Sequence, residues 1–377
     1  MRIGIFTNSY KPVYDSGVVN VVDNLRYGLT KLKQEVYIFA PKFPNYRDEE
    51  ANVYRYNSVN LPLKVKYPIA IPYSFKISKM IKQSKFDIIH THHPFNLGRK
   101  GAYFARKCNI PLVFTNHTKY EDYSHYIPFN QKFTKKIIRY LHKKYLNLCN
   151  CIIAPTANIK EFLLNIGIKS RIEVIPNAIN LELLRSNKPH NIRKLYRLEN
   201  KKILLFIGRL AKEKNIPFII KAFKILSKKR KNAVLLIGGA GYEEKNLKNL
   251  VHDLKIQNKV LMIGNIPHSE VSDYYSAADL FVTASTTEVH PLTLLESLAF
   301  GVPTIALEKS NLRDIIENGK NGFLTEASLE SFSRQITDTL NDESMLRMLS
   351  KNAELSSKNY DIKSISRKLL SLYQSLI

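Results

Sequence analysis

The sequence is poor in cysteine and glycine. The first shortage argues against a protein held together by disulfides or metal ions, and the second argues against a low-complexity chain. Its three cysteines, Cys108, Cys149 and Cys151, form no convincing disulfide or metal framework. Cys149 and Cys151 alternate at the start of a predicted strand, so we expect small core residues in a reducing compartment. With only 14 glycines, 44% hydrophobic residues and no evident repeat, the chain is predicted to be globular.

Long apolar runs are also missing. Nothing approaches the roughly eighteen uninterrupted apolar residues of a transmembrane helix. Arg2 is followed at once by a strand-length apolar run that the polar residues Asn8 and Ser9 end, so no signal peptide is expected. We therefore expect a cytoplasmic protein which, if it works at a membrane, lies on the inner surface of that membrane.

Acidic residues are too few to balance the basic ones: 32 Asp and Glu stand against 58 Lys and Arg, a formal net charge of +26. Between Leu61 and Asn150 basic residues far outnumber acidic ones, and aromatic residues lie among them. These aromatics are Tyr67, Tyr73, Phe75, Phe95, Tyr103, Tyr123, Tyr126 and Phe129. An anionic membrane surface is the predicted partner, and a polyanion such as RNA is an alternative.

One basic segment, Lys132–Leu148, has the spacing of a helix. Its apolar residues at helical intervals are Phe133, Ile137, Leu141 and Leu148, and its basic residues on the remaining sides are Lys135, Lys136, Arg139, Lys143 and Lys144. Two interpretations stay open. The helix either docks on anionic headgroups or packs on the core with a solvated basic face.

The chain alternates predicted strands and helices, which is typical of parallel sheets with crossover helices. The first series of predicted strands is Arg2–Thr7, Glu35–Ala40, Phe86–His90, Leu112–Thr115, Cys151–Ala154 and Ile172–Ile175. The second series is Lys202–Ile207, Ala233–Ile237, Val260–Ile263, Leu280–Thr283 and Thr304–Leu307. At 377 residues the chain is long enough for two domains, with a boundary predicted near residues 177–183.

Two glutamates eight positions apart, Glu288 and Glu296, bracket a predicted strand-to-helix turn. A carboxylate at the helix entrance can meet a polar ligand group while the second, about two turns on, holds another part of the same molecule. Pro291 fits the first helical position, because a backbone N–H at that position would have no acceptor within the helix. The alternative is an amphipathic helix with two solvated carboxylates.

Two cations, Arg209 and Lys214, follow the predicted strand Lys202–Ile207 and the turn residue Gly208. A helix of about fourteen residues is expected from Ile216. In open α/β sheets, ligands bind at the carboxyl ends of the strands. A planar guanidinium and a mobile ammonium together suit a diphosphate. The alternative is two solvated surface charges.

Together these motifs resemble a known family. The segments Gly208–Lys214, Pro176–Asn180, Ala278–Ser285 and Glu288–Pro303 are similar to the retaining, nucleotide-sugar-dependent glycosyltransferases of the GT-B fold, including those of family 4 type. Met1–Pro12 is similar to their opening strand and loop.

The resemblance implies an α/β chain of two Rossmann-like parallel-sheet domains facing an interdomain cleft. Residues 1–177 would form the acceptor domain, joined by the last helix at 360–377, and residues 178–359 would form the donor domain.

The resemblance also assigns roles in the second domain. Arg209 and Lys214 would bind the donor diphosphate, Glu296 the ribose hydroxyls and Glu288 the transferred sugar. Main-chain groups around Ile266 would hold the base, and Leu292 and Thr293 at the helix entrance would contact the donor. The glycines at 238, 239 and 241 either approach the nucleotide closely or form a β–α turn.

In the first domain the resemblance implies two further residues. Gly17 would bring backbone N–H groups close to a phosphate at the start of the helix Val18–Lys33, with Ser16 where the family commonly has another glycine. His117 would lie beside the donor sugar and belong to the catalytic set with Glu288, Arg209 and Lys214.

The turn after Glu288 departs from the family pattern. Where the family commonly has glycine, this chain has Pro291, which has no backbone N–H. Because the family uses backbone amides of this turn to hold sugar hydroxyls, the departure leaves the identity of the sugar open. His290 is a candidate replacement donor.

The segments Thr91–Gly98 and Ile110–Pro128 are similar to the bacterial diacylglycerol glucosyltransferases. The resulting prediction is a retaining transfer of hexose, glucose from UDP-glucose, to a lipid hydroxyl at the membrane surface. No metal cofactor is expected because two cations serve the diphosphate. His90, His92 and His93 are predicted to be loop and acceptor-cleft residues, since their spacing does not fit a zinc site.

Two other functions stay open. The acceptor is alternatively a capsular or cell-surface glycan, or the chain is a basic nucleic-acid-binding protein, although nothing in it resembles a nucleic-acid module.

Overall fold

The computed structural model describes residues 1–12, 17–60, 68–122, 130–186, 190–308 and 312–377. Ser16, Tyr67, Tyr123, Tyr126 and Phe129, singled out above, lie outside the described residues. The chain divides into two compact units. Unit 1 comprises Met1–Ala178 and Ile362–Ile377, and unit 2 comprises Ile179–Asp361.

Strands and helices alternate along the chain. The strands are β1 (Arg2–Phe6), β2 (Glu35–Pro41), β3 (Val53–Tyr56), β4 (Ser58–Val59), β5 (Ile69–Ala70), β6 (Ile88–Thr91), β7 (Leu112–Thr115), β8 (Cys151–Ala154), β9 (Arg171–Val174), β10 (Lys202–Ile207), β11 (Ala233–Gly238), β12 (Val260–Gly264), β13 (Leu280–Thr283), β14 (Thr304–Leu307) and β15 (Gly322–Thr325). The helices are α1 (Gly17–Lys31), α2 (Phe75–Gln83), α3 (Leu97–Lys107), α4 (Gln131–Leu146), α5 (Ala157–Asn165), α6 (Leu181–Ser186), α7 (Ile192–Leu195), α8 (Ile216–Lys229), α9 (Glu244–Asp253), α10 (Val271–Ala277), α11 (Leu292–Ala299), α12 (Leu329–Asn341), α13 (Glu343–Ser357) and α14 (Ile362–Gln374).

Each unit is built on one parallel sheet. In unit 1 the order is β3-β2-β1-β6-β7-β8-β9, with a separate antiparallel pair β4-β5, and in unit 2 it is β12-β11-β10-β13-β14-β15. The chain works outward from β1 in one direction, then returns to place β6 on the other side of β1. Unit 2 does the same around β10 and β13. These reversals are the switch points at which doubly wound sheets bind ligands.

The central strands are buried on both faces, which explains their unbroken apolar sequences. In β10 the side chains of Ile203, Leu204 and Leu205 are at most 1% exposed. Helices α8 and α12 pack beside each other on this sheet, and the rings of Phe218 and Phe332 meet edge to face at 5.5 Å.

The strands predicted from apolar runs are confirmed to within two residues at each end. The helix predicted at Val18–Lys33 runs from Gly17 to Lys31, and the helix expected from Ile216 has the predicted fourteen residues. Strands β3, β4, β5 and β15 were not predicted. Each is only two or four residues long, and β3 and β15 are sheet edges that are only partly buried, so neither produces a continuous apolar run.

Cys151 is the first residue of β8 and Cys149 lies two residues before it; both are buried, as predicted for small core residues, and Cys108 is half-buried. Burial raises the pKa of the Cys151 thiol to about 11, so this group stays protonated at neutral pH.

The last helix, α14, packs in unit 1 against α1. The approach is close because α1 has Gly28 at the contact. A Cβ added there would lie 1.9 Å from the Ser366 Oγ and 2.9 Å from the Ile362 Cγ1. The missing side chain is therefore the feature of α1 that admits α14.

We predict that Gly28→Ala lowers the free energy of unfolding by about 1–3 kcal/mol, because the methyl group overpacks this contact. At an exposed helix position the same change would stabilise by about 1 kcal/mol, through the higher helix propensity of alanine. Urea-induced unfolding measures the difference. Adding Ser366→Ala removes the nearest clashing atom and should restore part of the loss. A stabilising Gly28→Ala would contradict the packing described.

Candidate active site

The loops at the switch point of unit 2 bring the predicted cations and acids together. Strands β10 and β13 are parallel neighbours, with Leu204 opposite Leu280, so their carboxyl ends share one edge of the sheet. Arg209 follows β10 directly, and the loop after β13 leads to Glu288. Sequence reasoning placed these residues at strand ends, and the strand order makes the two ends neighbours.

A short 3-10 turn, Lys212–Lys214, follows Arg209 and holds its side chain. The guanidinium of Arg209 forms an ion pair with Glu213, four residues on, whose side chain is only 2% exposed. Glu213 was not predicted as a site residue. Its signal in the sequence was its position between Lys212 and Lys214, four residues after Arg209, a spacing that permits contact within one turn.

The main chain of this turn is tied to the loop after β13. The Glu213 carbonyl oxygen accepts hydrogen bonds from the Thr286 N–H at 2.9 Å, from the Ser285 Oγ at 3.2 Å and from the Thr286 Oγ1 at 3.2 Å. We call this set of bonds the loop clasp. It places Lys214 beside Glu288, and their side chains form an ion pair. Two residues 74 positions apart thus meet as a directly bonded pair.

Glu296 lies on α11 and is held by side chains that sequence reasoning missed. The Tyr275 hydroxyl lies 3.1 Å from the Glu296 Oε2 and 3.0 Å from the Thr293 carbonyl oxygen, and the His268 Nε2 lies 3.3 Å from the Glu296 Oε1. Burial, together with the nearby Glu296 carboxylate, raises the pKa of Tyr275 well above its usual value. Each carboxylate oxygen of Glu296 therefore has a side-chain partner that orients it. The Glu296 side chain is only 5% exposed to solvent.

The entrance to α11 differs from the prediction by one residue. Pro291 is the N-cap in an extended conformation (φ −72°, ψ 124°), and Leu292 is the first helical residue. The correction has a physical basis, because the Pro291 carbonyl accepts the Leu294 N–H at 3.2 Å, which is the role of a cap. The N–H groups of Leu292 and Thr293 have no acceptor within the helix and can serve a ligand.

His290, just before this cap, is buried with its ring edge against Tyr360, at 5.5 Å between centroids. Burial lowers the pKa of His290 to about 3, so the ring is neutral at physiological pH. Its predicted role as a replacement donor stays a prediction.

The glycines after β11 let two loops approach each other. A Cβ on Gly239, whose φ is +134°, would lie 1.9 Å from the Gly208 carbonyl oxygen, and one on Gly241 would lie 2.2 Å from the Leu210 carbonyl oxygen. A Cβ on Gly238 would lie 2.3 Å from the Ile266 Cδ1. These three glycines therefore serve the packing of this sheet edge, which favours the β–α turn interpretation and also fixes the loop that contains Ile266.

In unit 1, Gly17 begins α1 at the end of the loop after β1. A Cβ built on Gly17 meets no atom of the described residues within 4 Å. Neither packing nor a positive φ explains this glycine in the described part of the chain. The predicted approach of a phosphate to Gly17 stays a prediction.

His117 lies two residues past β7 and meets a histidine from the neighbouring strand end. Its Nε2 lies 2.8 Å from the His92 Nδ1, and the two rings stack at 5.0 Å. Burial, and to a lesser degree the neighbouring His93 and His90, lower the pKa of His117 well below its usual value. Both rings are therefore neutral, and one ring N–H donates a hydrogen bond to the other ring.

His90 has a different role from the one predicted. It is fully buried, with its Nδ1 2.7 Å from the Tyr373 hydroxyl on α14 and its Nε2 2.7 Å from the Thr115 Oγ1. His90 therefore joins α14 to the sheet and is a structural residue rather than a loop or acceptor residue. Among the residues that the structure describes, no group of three or more His, Cys, Asp or Glu side chains is arranged to hold a metal ion.

Comparison with known proteins gives the family. The family model described as "Glycosyltransferase Family 4" matches residues 16–183, and the one described as "Glycosyl transferases group 1" matches residues 187–356. A protein of Acholeplasma laidlawii named alpha-monoglucosyldiacylglycerol synthase is 32% identical, over 100% of this chain and 98% of that protein. One of the same name from Streptococcus pneumoniae is 34% identical, over 86% of this chain and 75% of that protein.

The solved structure of Anabaena HepE in complex with UDP matches 100% of both chains, with a TM-score of 0.79 and 17% sequence identity. This chain is a GT-B glycosyltransferase. The predicted family and fold class are thereby confirmed.

The glycosyltransferase exposes an unusual face of α4. The buried residues of this helix are Thr134, His142, Tyr145 and Leu146. Phe133, Ile137 and Tyr140 instead face solvent, with 63%, 41% and 63% of their surfaces exposed. Of the predicted stripe, Phe133, Ile137 and Leu148 are thus exposed and only Leu141 is half-buried, so most of it does not pack on the core. Docking of the stripe on headgroups stays a prediction. The helix packs through a polar face, where the Tyr145 hydroxyl lies 2.7 Å from the Thr91 Oγ1 and 3.1 Å from the Gly98 carbonyl oxygen.

A second exposed apolar segment of the enzyme runs from β5 into α2. Ile71, Tyr73 and Phe75 alternate along it, and Tyr73 and Phe75 are 77% and 79% exposed. Of the helices in the described ranges, none combines the length and apolar character needed to cross a bilayer.

Buried histidines make the stability of this glycosyltransferase depend on pH. Burial lowers the pKa of His90 and of His290 to about 3 each, whereas an unfolded histidine titrates near 6.5. Below that value the unfolded chain binds protons that the folded chain does not. We predict that the free energy of unfolding falls by about 1.4 kcal/mol per pH unit for each such histidine as the pH drops from 6.5 toward 4.

Urea titrations at pH 7, 6 and 5 measure the slope. His90→Asn should lower the slope by one proton. The control is His252→Asn, whose ring is 80% exposed, and it should leave the slope unchanged. Equal slopes for the wild type and His90→Asn would contradict the prediction.

Proposed function

We propose that this glycosyltransferase transfers glucose from UDP-glucose, with retention of the anomeric configuration, to the hydroxyl of a membrane lipid such as diacylglycerol. One observation carries the proposal. The two relatives named alpha-monoglucosyldiacylglycerol synthase are 32% and 34% identical, and the match to one covers the whole of this chain, both units included. The UDP bound to HepE supports a uridine nucleotide as the donor.

The donor side of the reaction uses unit 2. Arg209 and Lys214 supply two positive charges for the diphosphate, one as a planar fork and one as a point charge. Glu296, whose two oxygens are held by Tyr275 and His268, matches a vicinal diol such as that of ribose. Glu288 is left for the hydroxyls of the hexose, and the amides of Leu292 and Thr293 for further donor oxygens.

Retention follows if the lipid hydroxyl attacks the anomeric carbon from the face that the diphosphate leaves. The bond from the anomeric carbon to the diphosphate oxygen breaks, the bond to the lipid oxygen forms, and the hydroxyl proton passes to the departing diphosphate. The charge on the leaving group grows during this step, so Arg209 and Lys214 stabilise the transition state more than the ground state. We propose that these cations make a metal unnecessary.

His117 is proposed to assist at the sugar. Because it is neutral, its ring can accept a hydrogen bond from a hexose hydroxyl or donate one, and its contact with His92 fixes the orientation of the ring. Gly17 is proposed to let the start of α1 approach a phosphate of the donor.

A donor-by-acceptor screen tests the reaction. We expect UDP-glucose and diacylglycerol vesicles to give a glucosylated lipid, measured by mass spectrometry, with transfer that persists in a chelator. Lys214→Ala and Glu296→Ala should each lower kcat/KM by at least about 100-fold, because they remove contacts to the leaving group and to the ribose. The exposed residue Glu330 provides the control, and Glu330→Ala should leave kcat/KM unchanged.

Other outcomes of the screen would contradict the proposal in different ways. Transfer to soluble oligosaccharides but not to lipid vesicles would favour a cell-surface glycan as acceptor. Tight, salt-sensitive RNA binding that survives Glu288→Ala and Glu296→Ala, without sugar transfer, would favour a nucleic-acid-binding protein. Loss of transfer in the chelator would refute metal independence alone.

We propose that α4 brings the enzyme to its lipid acceptor at the inner surface of the membrane. Phe133, Ile137 and Tyr140 lie on one exposed side of the helix, with Lys136 and Lys143 on the neighbouring side. An amphipathic helix of this kind lies in the interface plane, with apolar side chains among the acyl chains and cations near anionic headgroups. Each such cation contributes about 1 kcal/mol.

The double variant Phe133→Ser, Ile137→Ser tests the membrane contact. We expect it to weaken binding to phosphatidylglycerol-containing vesicles by at least about tenfold, because two apolar side chains no longer enter the acyl region. Vesicle co-sedimentation measures the binding. The control is Leu195→Ser, which removes an exposed apolar residue (67%) from unit 2. Unchanged binding of the double variant, or an equal loss in the control, would contradict the role of α4.

A further inference from the structure

We propose that the Lys214–Glu288 ion pair makes the donor site discriminate between an intact nucleoside diphosphate sugar and the bare nucleoside diphosphate that remains after transfer. The inference rests on the proposed function, because it takes the donor to be a nucleotide sugar. The proposed function assigns Lys214 to the diphosphate and Glu288 to the hexose. The preference for the nucleotide sugar over the bare diphosphate comes instead from the contact between these two side chains.

The Lys214–Glu288 pair is held in place by the main chain. Lys214 ends the turn after β10, and Glu288 lies in the loop after β13. The loop clasp joins these two segments through the Glu213 carbonyl oxygen, with a shortest bond of 2.9 Å to the Thr286 N–H. Neither loop can therefore carry its charged residue away without breaking the clasp.

The Lys214–Glu288 pair is also partly removed from water. The side chain of Lys214 is 22% exposed and that of Glu288 is 16% exposed. At such a site the attraction between opposite charges, and the repulsion between like charges, is several times larger than in bulk water. A ligand that changes the partner of either group therefore changes the free energy of the site appreciably.

The two ligands differ in what they offer to this ion pair. A bare diphosphate attracts Lys214 and brings negative charge close to Glu288. Either the ammonium leaves the carboxylate, or it bridges carboxylate and phosphate while the like charges remain close. Both arrangements oppose binding. An intact nucleotide sugar presents hexose hydroxyls beside the diphosphate, and these donate hydrogen bonds to the carboxylate, which offsets the repulsion.

The other cation of the site does not face this choice. Arg209 is paired with Glu213 in its own turn through the Nη2 atom. A guanidinium has five N–H donors in a planar fork, so one edge can stay on Glu213 while another binds phosphate oxygens. The discrimination is therefore assigned to Lys214 and Glu288.

The consequence concerns the end of the catalytic cycle. Once the hexose has moved to the acceptor, Glu288 loses the hydroxyls that had replaced its ammonium partner. The carboxylate then competes with the diphosphate for Lys214, which weakens the hold on the product. In many enzymes product release limits turnover, so this exchange would favour turnover as well as specificity.

Isothermal titration calorimetry with UDP and with UDP-glucose, on the full chain, tests the inference. Glu288→Gln keeps the shape of the side chain and removes its charge. We expect this variant to bind UDP about tenfold more tightly than the wild type, and UDP-glucose no more tightly than the wild type. The matched control is Glu330→Gln, an exposed glutamate, which should leave both affinities unchanged.

A double-mutant cycle guards against an effect of altered folding. In a Lys214→Gln background, Glu288→Gln should raise UDP affinity by about threefold or less, because the competition for the ammonium has been removed and only the direct repulsion between carboxylate and diphosphate remains. Wild-type binding of UDP together with no gain in Glu288→Gln, or an equal gain in both backgrounds, would overturn the inference and leave the proposed function intact. If the wild type binds neither UDP nor UDP-glucose, the proposed function is refuted instead.

Discussion

The loop clasp between the turn after β10 and the loop after β13 is the constraint on which the candidate site of unit 2 depends. Three hydrogen bonds converge on one carbonyl oxygen, that of Glu213. The side chain of Glu213 orients Arg209, and the next residue, Lys214, forms an ion pair with Glu288. One buried residue therefore sets the positions of both cations and of one acid. The glycines at 239 and 241 let the loop after β11 pack against Gly208 and Leu210, at the start of the same segment.

The switch point of unit 1 is organised by different chemistry. Here the side chains at the strand ends are histidines, and desolvation keeps them neutral. Because their rings are uncharged, hydrogen bonds between them and to Thr115 and Tyr373 fix their orientation. A site built on charged side chains and a site built on neutral imidazoles thus occur on separate units of this glycosyltransferase.

Much of this architecture could be predicted from the sequence because parallel strands buried on both faces are apolar throughout. Runs such as Ile203–Phe206 are typical of such strands when they are short and end at a turn residue such as Gly208. Short edge strands such as β3 lack that signal. Glu213, Tyr275 and His268 were missed because a contact such as that between Tyr275 and Glu296 depends on strand order, which apolar periodicity does not encode. The stripe on α4 was ambiguous because a helix can pack through hydrogen-bonded polar residues and leave its apolar residues in solvent.

The placement of α14 has a consequence for how the chain is made. Unit 1 is interrupted after Ala178 and completed only from Ile362 onward, so unit 2 is an insertion within it. During synthesis from the amino terminus, the buried imidazole of His90 must wait for Tyr373, 283 residues later, before it gains that hydrogen bond. Unit 2 is contiguous and can fold as soon as it leaves the ribosome, whereas the nascent unit 1 lacks the packing of α14 against α1 until that helix has been synthesised.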